Sequence, residues 1–96
     1  FFQNPMEAVK DSDCIMTDVW FSMGDKSNDL ELFRDFQINR NVMNASKKDS
    51  IFMHCLPAKR NQEVTDEVID SERSIVWKQA YNRMIVQQGI LSYCIE

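Results

Sequence analysis

The sequence predicts an α/β domain built on a parallel sheet. Three observations carry this reading: short, mostly apolar runs at 14–19, 50–55 and 74–77; helical spacing between and after them; and crossovers of more than a dozen residues, the length a parallel connection needs. At 96 residues the chain is one small domain, burying roughly 60 to 65% of the surface its unfolded form exposes.

Asn4 before Pro5, with Glu7 two residues on, predicts a capped helix running to about Lys10. The run 14–19, interrupted by Thr17 and Asp18, predicts a strand apolar on both faces, hence a parallel strand covered by helices. Residues 21–28 read as loop, with Gly24 as the turn residue, and 29–36 and 40–45 read as helices. A second strand is expected over 50–55, ended by Leu56-Pro57 because proline cannot donate to the ladder. Residues 64–69 should form a helix with Thr65 as its candidate cap, 74–77 a third strand, and 79–95 a long last helix. Three strands make a narrow sheet, so further strands are expected upstream.

Composition excludes several classes of function. Hydrophobic residues at 44% and charged residues at 27% are ordinary for a globular chain. Eleven basic against fifteen acidic residues leave a net charge of -4, without the basic footprint of a nucleic-acid or anionic-membrane binder. No apolar run approaches the ~20 residues of a membrane span, and no leader pattern opens the chain, so a soluble, cytoplasmic protein is expected. Cys14, Cys55 and Cys94 lie far apart with no CxxC pair, consistent with a reducing compartment. The chain opens on Phe1 and Phe2 without methionine, as a sequence beginning inside a larger core would.

In an open parallel sheet, ligands bind beyond the carboxyl ends of the strands. The first strand delivers Asp18 there, followed by Ser22, Met23 and Gly24; the second delivers His54 and Cys55, then Leu56-Pro57. Against this, an Asp at a strand end is often only a turn former, and a cysteine often only a small buried hydrophobe, which is the reading for Cys14 and Cys94. Cys55, beside the one histidine of the chain, is the stronger candidate. Asp18, His54 and Cys55 do not have the spacing of a dedicated zinc site, so no metal is expected. On the last helix Ala80, Met84, Leu91 and Ile95 form an apolar stripe, and Arg83 at its margin is expected to point toward the buried side. A ligand anion or carbonyl would answer that charge; an internal carboxylate is the structural alternative. Arg60 is either a second anion contact or solvated, Lys47-Lys48 a solvated helix end, and Trp20 and Trp77 packing residues.

The segments Asp18-Val19-Trp20-Phe21-Ser22-Met23-Gly24, Phe52-Met53-His54-Cys55-Leu56-Pro57-Ala58, Glu63-Val64-Thr65-Asp66-Glu67-Val68 and Asn82-Arg83 closely resemble the second half of the ornithine carbamoyltransferases, within the aspartate/ornithine carbamoyltransferase family. Asn-Pro-Met-Glu-Ala-Val-Lys at 4–10 resembles the helix before the first of these strands. The resemblance implies a three-layer, Rossmann-like, mostly parallel sheet with flanking helices, truncated at its N-terminal side. It implies transfer of a carbamoyl group from carbamoyl phosphate to L-ornithine, giving citrulline and phosphate in arginine metabolism, with no metal or organic cofactor. By the family pattern Asp18, Ser22 and Met23 hold ornithine; Cys55 and the Leu56 backbone meet the reacting groups; and Arg83 binds carbamoyl phosphate, so Cys55, Asp18 and Arg83 are the catalytic candidates. The parent enzyme is expected to be a homotrimer or a higher multiple.

The family's preceding domain, with its phosphate-cradling Ser-Thr-Arg-Thr loop, a His-Pro segment and an Asn-rich strand end, is not among these residues. The chain is therefore expected to be the C-terminal portion of the ornithine-binding domain and inactive alone. Two alternatives are a related transferase acting on putrescine or another amine, and a non-catalytic half-domain. Against the second stands the joint retention of Asp18, Ser22, Cys55 and Arg83.

Overall fold

The computed structural model describes residues 1–25 and 29–95; positions 26–28 of the expected loop lie outside them. Asn4 caps the first helix, its side chain accepting the Met6 N–H at 2.9 Å, with Pro5 at the first helical position. This helix, α1 (Pro5–Ala8), is shorter than expected because the chain turns out through Asp11, at φ 60°. Strand β1 (Cys14–Thr17) follows, then a 3-10 helix (Leu30–Phe36), α2 (Arg40–Ala45), β2 (Ile51–His54), α3 (Asp66–Ile69) and α4 (Val76–Ile95).

The two strands are parallel, with Cys14 opposite Ile51 and Thr17 opposite His54. The third strand expected over 74–77 is a correction: Phe52 N–H bonds the Arg73 carbonyl at 2.8 Å and Ile75 N–H bonds Phe52 at 3.0 Å, one parallel bridge only. The Ile75 carbonyl then accepts Gln79 N–H at 2.8 Å, so the chain coils into α4 before a ladder can extend. The α/β class with a parallel sheet stands.

Val9, Ile15, Ile38, Val42, Met43, Phe52, Val64, Val68, Ile69 and Val76 form the core. It lies on one side of the strand pair. Met16, on the opposite face of β1, is 60% exposed, so within the described residues the strand is not covered on both faces as its apolar run suggests. The stripe on α4 is likewise uncovered: Met84, Leu91 and Ile95 are exposed, and Val76 is the helix's one buried residue. Cys14 and Cys94 are exposed rather than core residues. The radius of gyration, 15.5 Å, exceeds the ~12.5 Å of a compact domain of this length, because α4 extends away from the core.

Side chains close the loops. Arg73 donates to the carbonyls of Ser50, Met43 and Lys47 and to Ser46 Oγ at 2.7 to 2.9 Å, tying the end of α2 to the start of β2. Thr65 stands at the cap position of α3 without a side-chain cap bond; Asn61 Oδ1 accepts the Asp66 N–H instead, at 3.1 Å. Arg60 is bound to Asp66 at 2.8 Å and to Asp70 at 2.6 Å, which removes it as a free anion contact. Trp20 stacks on Phe33 with ring centroids 6.0 Å apart, as a packing residue should. Trp77 is exposed, because it falls on the uncovered side of α4.

Candidate active site

Because β1 and β2 are parallel and in register, their carboxyl ends lie side by side, and the residues just past them meet. Asp18 and Cys55 are that pair. The Cys55 thiol donates to Asp18 Oδ1 at 3.1 Å, and the same oxygen accepts the Val19 N–H at 2.7 Å. The thiol bond first, and the Val19 N–H second, hold the Asp18 carboxyl below its ordinary value. The reciprocal effect raises the Cys55 thiol: chiefly its bond to the carboxylate, then burial, with the positive charge of Arg83 opposing them. The proton therefore stays on sulfur, and the group is a hydrogen-bond donor rather than a thiolate nucleophile.

This has a direct chemical readout. At pH ~8, iodoacetamide should modify Cys55 more slowly than the exposed Cys14 and Cys94, and Asp18→Asn should speed it, as followed by peptide mass mapping. The sign follows from the raised folded-state value: the Asp18–Cys55 bond contributes stability below the thiol's ordinary titration range and loses it as pH climbs through the raised one. Equal rates at the three cysteines would show the thiol to be unperturbed.

Beside Cys55 opens a cleft of about 280 Å³, lined on its other side by Gln79, Asn82, Arg83, Val86 and Gln87 of α4. Gln79 docks the helix there, its Oε1 accepting the His54 N–H at 3.1 Å. Arg83 follows one turn later. It is exposed rather than buried, since nothing among the described residues covers that face of α4, and it reaches the cleft from the open side. It makes no ion pair among the described residues, so the internal carboxylate that would explain it structurally is not found there.

Cys55 and Arg83 line one opening, and Asp18 joins them through its bond to the Cys55 thiol. Ser22 and Met23 are not drawn in: both are exposed on a turn in which Ser22 N–H bonds Asp25 Oδ2 at 2.6 Å and Gly24 takes φ 98°. Leu56 follows Cys55 at φ 56°, and its N–H donates to His54 Nδ1 at 2.8 Å. His54 Nε2 lies 3.0 Å from Glu63 Oε1, so both ring nitrogens are engaged within the protein and the histidine offers no ligand to a metal between Asp18 and Cys55. Gln79 and Glu63 are the residues that the sequence alone does not single out. A lone histidine at the end of a buried strand needs partners, and that need is the signal that points to them.

Comparison with known proteins follows this geometry. Residues 1–94 match the family described as Aspartate/ornithine carbamoyltransferase, Asp/Orn binding domain. An ornithine carbamoyltransferase of Rhodopseudomonas palustris is 50% identical over 94 residues, 96% of this chain and 30% of that protein. One from Methanococcus vannielii is 50% identical over 97 residues, 97% of this chain and 32% of that protein. The structure of ornithine carbamoyltransferase from Pyrococcus furiosus superposes with a TM-score of 0.86 at 50% identity, over 93% of this chain and 29% of that one. The chain thus spans about 30% of the length of the curated relatives it matches.

Proposed function

The chain belongs to the aspartate/ornithine carbamoyltransferase family through its Asp/Orn binding domain, and from that premise we propose that it supplies the C-terminal portion of the amine-binding domain of an enzyme that transfers a carbamoyl group from carbamoyl phosphate to L-ornithine. The observation that carries the reading is the 3.1 Å bond between Cys55 and Asp18 at the joined strand ends, with Arg83 across the cleft. A carboxylate suits the ammonium of an amino acid, and a guanidinium without an ion pair among the described residues suits carbonyl or phosphate oxygens.

In this reading Asp18, Ser22 and Met23 hold ornithine, which requires the exposed turn at 22–24 to fold over the bound substrate. Cys55 and the Leu56 backbone face the reacting amine and carbamoyl group, and Arg83 holds the carbamoyl phosphate oxygens. No helix of the described residues is long and apolar enough to cross a membrane; we place the enzyme in the cytoplasm, as a homotrimer or higher multiple, working in arginine biosynthesis. Substrate competition tests the acceptor. With Asp18 facing the α-ammonium, ornithine should greatly outcompete putrescine in an enzyme carrying this segment, and an equal preference would remove that role for Asp18.

Arg83→Ala should weaken carbamoyl phosphate binding by about 10- to 150-fold, the equivalent of roughly 1.5 to 3 kcal/mol for charge-assisted bonds. Because Arg83 is exposed and outside the core, thermal stability should hardly change. Unchanged affinity with a sharply lower Tm would make Arg83 a structural residue.

A further inference from the structure

Glu63 is fully buried, outside the cleft, and only half satisfied. Its Oε1 accepts the His54 ring nitrogen at 3.0 Å and the Lys59 N–H at 2.7 Å, while Oε2 has no partner. A carboxylate so placed is costly, and an apolar side chain of similar volume would serve packing as well or better. What the carboxylate does is constrain His54. The Leu56 backbone N–H can only donate, so His54 Nδ1 is the acceptor of their 2.8 Å bond and the ring proton stands on Nε2, facing Glu63. With the other tautomer, Nδ1–H and the Leu56 N–H would confront each other, and Leu56 would lose the bond that holds it at φ 56°, a region an L-residue enters at a cost.

We propose that Glu63 is a positioning residue for carbamoyl transfer: by fixing His54 in the Nε2–H tautomer it holds Leu56 in its left-handed conformation and so sets the preceding Cys55 thiol, at the edge of the cleft, against Asp18. The catalytic part rests on the function proposed above; the relay from Glu63 through His54 to Leu56 does not.

The test combines kinetics in the complete enzyme carrying this segment with ¹⁵N NMR of the chain described here, in which His54 is the one histidine. The wild-type ring should show protonated Nε2 and unprotonated Nδ1. Glu63→Leu, which removes the acceptor, should lower kcat by about 10- to 100-fold, the usual range for losing a residue that orients a site group, while KM for ornithine shifts little and alkylation of Cys55 accelerates. Glu63→Gln keeps an oxygen at the Oε1 position and should restore most of kcat together with the tautomer. A protonated Nδ1 in the wild type, or full kcat in folded Glu63→Leu, overturns the proposal. So does a loss of kcat in Glu63→Gln with the tautomer intact, since charge and not orientation would then matter. If Glu63→Leu does not fold, the wild-type tautomer and the Glu63→Gln kinetics decide. If the wild-type enzyme does not use ornithine, the proposed function fails while the tautomer and alkylation readouts, which need no substrate, still judge the relay.

Discussion

Expressed by themselves, these 96 residues are expected to produce no measurable citrulline from ornithine and carbamoyl phosphate. Cys55, held by Asp18, and Arg83 border a cleft that is open to solvent on the side where α4 is uncovered. Nothing among the described residues adds a second cation to Arg83 there, and the phosphate-cradling loop that the family resemblance implies is not in the sequence. Holding two substrates together in reactive alignment accounts for roughly 7 to 11 kcal/mol of a barrier, on the order of 10⁵- to 10⁸-fold in rate. A colorimetric citrulline assay at saturating substrate concentrations is the check. Turnover comparable with that of a full-length relative would show that this half carries the whole site.

In an enzyme carrying the segment, Cys55→Ala should reduce turnover by roughly 10² to 10⁴-fold, the contribution of a positioned proton donor or acceptor, and should weaken ornithine binding. The attacking side-chain amine resembles lysine, with an ordinary pKa of about 10.4, and only its neutral form has a lone pair to offer. A site that excludes water and sets the amine beside Cys55 and Asp18 favours loss of that proton or selects the neutral amine. The bond to Asp18 keeps the thiol protonated, so Cys55 acts as a polar, polarisable partner to the amine and carbonyl, and no covalent intermediate is required. Rate against pH at saturating ornithine decides. Near-normal turnover of the variant across roughly pH 6 to 9 would reduce Cys55 to a space filler, and a trapped carbamoyl-thioester would replace this mechanism with a covalent one.

What was legible in the sequence was what short-range chemistry controls. Asn4-Pro5 fixes the start of α1, the apolar runs at β1 and β2 give the parallel pair to within a residue or two, and the strand-end rule places Asp18 and Cys55 at one edge. The expected third strand does not form because Ser74-Ile75-Val76-Trp77, despite its strand composition, is entered by the competing helix bond from Gln79 to Ile75. The expected burial of Arg83 fails because it rests on a stripe on α4 that the described residues do not cover. Glu63, Gln79 and Arg73 were missed for a common reason. Each is a polar residue with a partner 9 to 30 positions away, a pairing that no local period encodes.

The attachment of α4 has a thermodynamic corollary. The helix touches the core through Val76 and the strand end through Gln79, both within its first turn, and from Ala80 on its residues are exposed among the described residues. A helix of 20 residues is only marginally stable in water when unsupported. In the chain alone, winding of its distal half is therefore uncoupled from global unfolding, and amide protection should fall from near the global value at the first turn to almost none toward Ile95. Arg83 sits at the boundary between these regimes. The cleft accordingly exists as a complete binding surface only for the fraction of time that the second turn stays wound, and any partner surface that clamps the outer half of the helix would raise ligand affinity without touching the ligand.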